Sequence, residues 1–339
     1  MSLSREIAAL RKLSARVGRD LELTQGAGGN TSVKVDGILW VKASGKWLRA
    51  AEEEEIFLPV DWQRVRRTIP VECSDPGAET PLIETPLRAS IETSFHAFLP
   101  QKVVVHLHSV NAIPWAVQRQ GEARLRDLLV GLEWRWVPYV RPGMPLTRLM
   151  ASMFSEEVTV WILANHGLIV AADTVAECEE LLGEVERRIA IAPRLERCDV
   201  QRLAQHTSRE WKLPKHEIAH QAAATAERVA LAVEGSMYPD NTVFVGPACA
   251  AIKASESVAQ ATLRFEQCWH MQPKALLVEG AGLLIRQDAN AGVEEMAGCL
   301  GLVLSRISDG GQCVFLDRDE IYGLMNWDAE KYRQQIAAD

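Results

Sequence analysis

The chain has no Cys-x-x-Cys pair, no basic tract long enough to follow a polyanion, and no apolar run approaching a membrane span. Seven cysteines, odd in number and widely spaced, exclude a disulfide scaffold and suit a reducing compartment. A formal net charge of −8 argues against a nucleic-acid partner. The opening MSLSREIAALRKLSARVG is amphipathic and charged, without the apolar core of a signal peptide, so the expected location is cytoplasmic, with no membrane partner. No internal repeat is visible. With 339 residues, 47% of them hydrophobic, the chain is globular and long enough for two domains.

What it does contain is VVVHLHSVN at 103–111. In a strand, residues i and i+2 share a face about 6–7 Å apart, so His106 and His108 can reach one metal ion while Leu107 points to a core. A third imidazole is available from His166 in WILANHGLIV, just past another apolar run. Three histidines at strand ends with a carboxylate nearby suit a catalytic divalent ion with an open position. The same spacing also fits ordinary hydrogen-bonded histidines.

Around this strand the chain alternates helix and strand. Ile7, Leu10, Leu13 and Val17 recur at helical spacing. The glycine-rich TQGAGGNTS (24–32) could form an anion-holding concavity or an ordinary loop. SVKV-DG-ILWV signals a hairpin, with Asn30 and Lys42 flanking its open end, and leads into the polar KASGK loop. Lys42 and Lys46 are substrate contacts or plain solvated lysines. Residues 52–86 read as loop and surface, with PGAET (76–80) breaking any pattern. SIETSFHAF reads as a helix opened by Ser90 and closed by Pro100, carrying Glu92 and His96 one turn apart; by spacing alone they could be a surface pair. Thr174-x-x-Glu177 is a capping box for a helix to about residue 189. Polar residues 193–214 read as a linker between units at 1–205 and 215–339. The second unit reads as α/β, with helices at 216–232, 255–270 and 292–306, strands at TVFVG and CVFL, a hairpin in KALLVEGAGLLI, and two closing helices parted near Asn326.

GGNTS, K-x-SG, S-x-E-T-x-x-H, VVHLHS and NHG, in that order, make residues of about 5–200 resemble the class II aldolase/adducin family. The resemblance implies an α/β fold: a mostly antiparallel central sheet flanked by helices, followed here by a smaller C-terminal α/β domain. It implies one divalent metal per chain, zinc above others, held by His106, His108 and His166, with Glu92 as catalytic acid/base. It also implies that Gly29, Asn30, Ser44, Gly45 and, with them, Lys42 hold the anionic end of a small sugar substrate. The implied activity is reversible aldol cleavage of a ketose phosphate or related sugar acid through an enediolate, in a homo-oligomer, dimer or tetramer. Epimerisation, decarboxylation and a non-catalytic adducin-like role are the alternatives; non-enzymatic relatives typically lose the histidines. Two features depart from the pattern: RASIET lacks the proline or second serine common before the glutamate, and RLRDLL stands where some relatives carry a tyrosine. YPDNTVFVGP, KALLVEGAGLLI and MNWDAEKYR resemble the aldolase part of rhamnulose-phosphate aldolase/short-chain dehydrogenase fusions, without the dehydrogenase, and Tyr238-Pro239-Asp240 is expected near the active-site mouth.

Overall fold

A computed structural model of the chain describes residues 3–70, 81–307 and 310–336. Helix α1 (Leu3–Arg19) buries the stripe Leu10, Leu13 and Val17. Asp36 and Gly37, with φ of 51° and 78°, join β1 (Asn30–Val35) to β2 (Ile38–Lys42). This is the mirror-image turn that matches strand twist. The next stretch, expected as loop, instead contains β3 (Phe57–Val60), which pairs with β2, and α2 (Trp62–Thr68), capped by the Asp61 carboxylate. PGAET lies outside the described residues. There follow α3 (Thr93–Phe98), β4 (Val103–Leu107), α4 (Ile113–Ala116), α5 (Gly121–Leu128), β5 (Trp134–Val137), α6 (Met144–Ser152), β6 (Val160–Leu163), β7 (Gly167–Ala172) and α7 (Val175–Ile189).

These seven strands form one sheet in the order β3-β2-β1-β4-β7-β6-β5, antiparallel except for β5 on β6. The central strand β4 is buried on both faces, which explains its unbroken β-branched run. Val103, Val105 and Leu107 face the core built with α1 and α7, while Val104 faces Phe95, Leu99 and Trp161 on the other side. His106, two residues after Val104, shares that second face. Helix α7 opens on a full capping box: Thr174 accepts from the Glu177 amide, and Glu177 accepts from the Thr174 amide. Thr174→Ala is expected to cost about 1 kcal/mol of stability, read as a lower thermal midpoint with the metal site intact.

The C-terminal part adds β8 (Trp211–Lys212), α8 (Ala226–Glu234), α9 (Pro239–Phe244), β9 (Ala250–Ala251), α10 (Val258–Trp269), β10 (Ala275–Val278), β11 (Gly282–Arg286), α11 (Ala291–Arg306), α12 (Arg318–Met325) and α13 (Asp328–Ile336). A smaller sheet runs β8-β11-β10-β9. Four expectations change here. Stretch 193–214 holds a 3-10 turn and β8, with Leu203 and Trp211 buried in the second core. The segment 216–232 is a 3-10 turn over Glu217–Ala223, then α8, restarted by the Thr225 cap. TVFVG is not a strand: Pro239 at the first helical turn and the acidic Asp240 beside it start α9, which carries the β-branched residues as helix. CVFL is a strap rather than a strand. Cys313 forms a single isolated antiparallel bridge with Gln118, made by the Val314 amide donating to the Val117 carbonyl (2.7 Å) and the Arg119 amide donating to the Gln312 carbonyl (3.0 Å), while the Leu316 amide turns to the Ser236 carbonyl (3.0 Å). Among the described residues no helix is long and apolar enough to cross a membrane.

Candidate metal centre

His106 near the end of β4, His108 just beyond it and His166 in the turn between β6 and β7 are all buried, and one nitrogen from each lies within 4.8 Å of the others. The three rings are thus brought together as the sequence suggested. Asn165 makes the turn possible: it adopts φ 53° and donates its amide hydrogens to the carbonyls of Met237 (2.8 Å) and Val314 (2.9 Å). The His166 turn is therefore tied to the C-terminal part.

Hydrogen-bond inventory fixes which nitrogens face the centre. His106 Nδ1 lies 2.9 Å from the Leu168 carbonyl, which only accepts, so Nδ1 carries the proton. His108 Nδ1 lies 2.8 Å from Asp240 Oδ2. Burial would raise the Asp240 carboxyl, but the adjacent Arg333 guanidinium, with His108, holds it well below the usual range, so it too accepts. The two Nε2 atoms face each other at 3.1 Å. Burial, against the opposing pull of Glu92, pushes His106 down to about 4, which favours its neutral form. Burial, then His106 and His108, likewise push His166 well down. With both Nε2 atoms unprotonated, their facing lone pairs repel, and a cation between them converts repulsion into coordination. The donor set fits a divalent ion held by three imidazoles with an open position.

Glu92 completes the centre. It is the N-cap residue of α3 rather than a residue on its face, and its carboxylate oxygens lie 3.4 Å from His106 Nε2 and 3.6 Å from His166 Nε2. Asn30 Nδ2 donates to Glu92 Oε2 at 2.7 Å, while Oε1 is buried without a hydrogen-bond partner among the described residues. Asn30 is itself held: its Oδ1 accepts from His96 Nε2, and Ser32 Oγ donates to His96 Nδ1 at 2.7 Å. Burial keeps His96 neutral, as that arrangement needs. Glu92 and His96 are therefore not a surface pair but two ends of one buried chain running through Asn30.

Gly29, Asn30, Lys42, Ser44 and Gly45 line one cavity together with Glu92, His108 and His166, so the two loops reach the same place. Lys42 Nζ is buried and donates to the carbonyls of Ala27 and Lys46, both at 2.8 Å; burial, aided by Arg333, pushes it down to about 7. Lys46 pairs with Glu54 at 2.8 Å and does not line this cavity. The C-terminal part adds Pro239, Asp240, Glu330 and Arg333 to its walls. Tyr238-Pro239-Asp240 thus meets the site, through Asp240. Sequence reasoning did not single out Arg333 and Glu330. Gly28 is required where this wall approaches, because a Cβ there would sit 2.6 Å from Asp240 Oδ2 and 2.9 Å from His108 Nδ1. The space left is about 20 Å³, room for one water.

The sequence pattern of the Class II Aldolase and Adducin N-terminal domain matches residues 8–192, more than half of the chain. The Uncharacterized oxidoreductase YuxG of Bacillus subtilis (strain 168) is 28% identical over 207 residues, 56% of this chain and 29% of that protein, so the chain matches under a third of this relative's length. The N-terminal Class II Aldolase domain of a conserved protein from Thermoplasma acidophilum has the same fold, with TM-score 0.50 and 23% identity over 56% of this chain and 94% of that one. YgbL, a putative aldolase/epimerase/decarboxylase from Klebsiella pneumoniae, gives TM-score 0.38 and 22% identity over 54% and 87%. By its matched sequence and its central sheet, the chain belongs to the class II aldolase and adducin family.

Proposed function

We propose that the protein is a metal-dependent carbon–carbon lyase that reversibly cleaves a small anionic ketose, a ketose phosphate or a related sugar acid, to an aldehyde and a dihydroxyacetone-phosphate-like fragment. The observation that carries this reading is the pair of imidazole Nε2 atoms facing each other at 3.1 Å beside a third histidine and a carboxylate. His106, His108 and His166 would hold the ion, and zinc is the best match to three imidazoles with an open position. When bound, such an ion supplies a Lewis acid that draws charge from a carbonyl.

The chain's own groups then divide the remaining work. Glu92 Oε1, the oxygen Asn30 does not engage, takes or returns the proton. Asn30, fixed by His96, keeps the carboxylate aimed. Lys42, Ser44 and the backbone near Gly29 and Gly45 receive the anionic end of the substrate. Because the free space holds about one water, admission of a sugar requires part of the wall to move outward. The family resemblance also carries a homo-oligomer, and unbridged Cys178, Cys198, Cys249 and Cys299 suit a reducing cytoplasm. The test is a screen of ketose phosphates and sugar acids for aldehyde release by zinc-loaded protein. Release that stops with chelator and returns with zinc supports the lyase. Carbon dioxide or an epimer, formed without aldehyde, replaces it with one of the related reactions.

A further inference from the structure

The C-terminal part contacts the metal centre through a line of charged groups, and this line ends on α13. Glu330 Oε2 accepts from Arg333 Nε at 2.6 Å. The other arm of the same guanidinium, its NH2 nitrogen, donates to Asp240 Oδ1. The second oxygen of Asp240 accepts from His108 Nδ1. All four side chains are almost fully out of solvent, with Arg333 at 12% exposure the most accessible. The line bridges 93 residues between Arg333 and Asp240 and 132 between Asp240 and His108, so only the folded C-terminal part can supply it. Helix α13 is also seated on the KASGK loop: a Cβ on Gly45 would lie 2.6 Å from Ile336 Cβ.

We propose that Arg333 is a positioning residue of the metal centre: by clamping Asp240 it fixes the ring of His108, so metal affinity and the docking of α13 are coupled. The inference rests on the metal reading above. A carboxylate on the far nitrogen of a ligating histidine sets tautomer and ring orientation. An Asp free to rotate would lose that hold, and Arg333 occupies the one Asp240 oxygen that His108 does not use. Coupling is reciprocal: whatever factor α13 docking adds to metal affinity, the metal must return to α13 docking.

The experiment is zinc titration of metal-free full-length chain against a chromogenic chelator, paired with hydrogen exchange of the α13 amides with and without zinc. Asp240→Asn, which keeps shape and loses charge, and Arg333→Met are each expected to weaken zinc binding by about 10- to 100-fold. Arg333→Lys should recover part of the loss, and Lys331→Ala, on the exposed side of α13, should leave affinity unchanged. Since Arg333 acts through Asp240, the double variant should bind no more weakly than Asp240→Asn alone. Zinc should slow α13 exchange in the native chain and fail to do so in Asp240→Asn. Losses that simply multiply, an Arg333→Met affinity within about twofold of native, or α13 exchange indifferent to zinc would overturn the inference. The exchange arm needs no Arg333 variant, so it decides even if those variants misfold. A native chain that binds no zinc would instead remove the metal reading itself.

Discussion

Glu92→Gln is expected to keep one metal ion per chain and lose turnover by about 100- to 10,000-fold, the usual range for removing a positioned acid/base. The substitution is close to isosteric, and glutamine can still accept from Asn30 Nδ2 where Glu92 Oε2 does at 2.7 Å. The carboxylate oxygens lie 3.4 and 3.6 Å from the nearest ligand nitrogens, so the imidazoles are not held in place by Glu92. They are held by Leu168, Asp240 and the Asn165 turn. What glutamine loses is a group that can take a proton at Oε1. Metal content by elemental analysis and steady-state rates, measured on the same preparation, check it. Near-native turnover would remove Glu92 from the acid/base role.

His106→Ala is expected to abolish tight metal binding and with it all metal-dependent activity, an effect larger than the roughly 10- to 100-fold that outer carboxylates contribute. His106 is fully buried between β1 and β7, paired with Asn30 on one side and Ile169 on the other, with its ring edge-on to Phe95 at 5.6 Å. Alanine would leave the strand ladder intact, since the backbone makes those bonds, but two imidazoles from a loop end and a turn remain. Excess zinc should not restore activity. Activity that survives at native level in strictly chelated buffer would mean that the reaction does not use the ion.

Local chemistry explains which parts of this were legible beforehand. His106 and His108 could be paired from sequence because side-chain alternation in a strand leaves little choice of face. The Asp36-Gly37 hairpin and the Thr174 capping box were readable because each motif carries its own hydrogen-bond logic within four residues. TVFVG misleads because β-branched residues argue for a strand, and only Pro239 with Asp240 just upstream signals the helix that wins. CVFL misleads in the same way, its apolar residues serving a strap between the two halves. The partners of the site residues were illegible for a different reason. The His96–Asn30 bond spans 66 residues and the Asp240–His108 bond spans 132, and no local rule pairs a histidine with an amide or a carboxylate at that distance. Asn30 shows the consequence. Its sequence context places it in an anion loop, and it does line that cavity, yet its side chain is engaged by Glu92 and His96.

Zinc X-ray absorption on reconstituted, active protein reads the ligand set directly. The account predicts one ion per chain with three imidazole nitrogens at about 2.0–2.1 Å and a remaining shell of oxygen. A spectrum with fewer than three imidazoles, with sulfur in the first shell, or no ion in protein that still turns over, would contradict it.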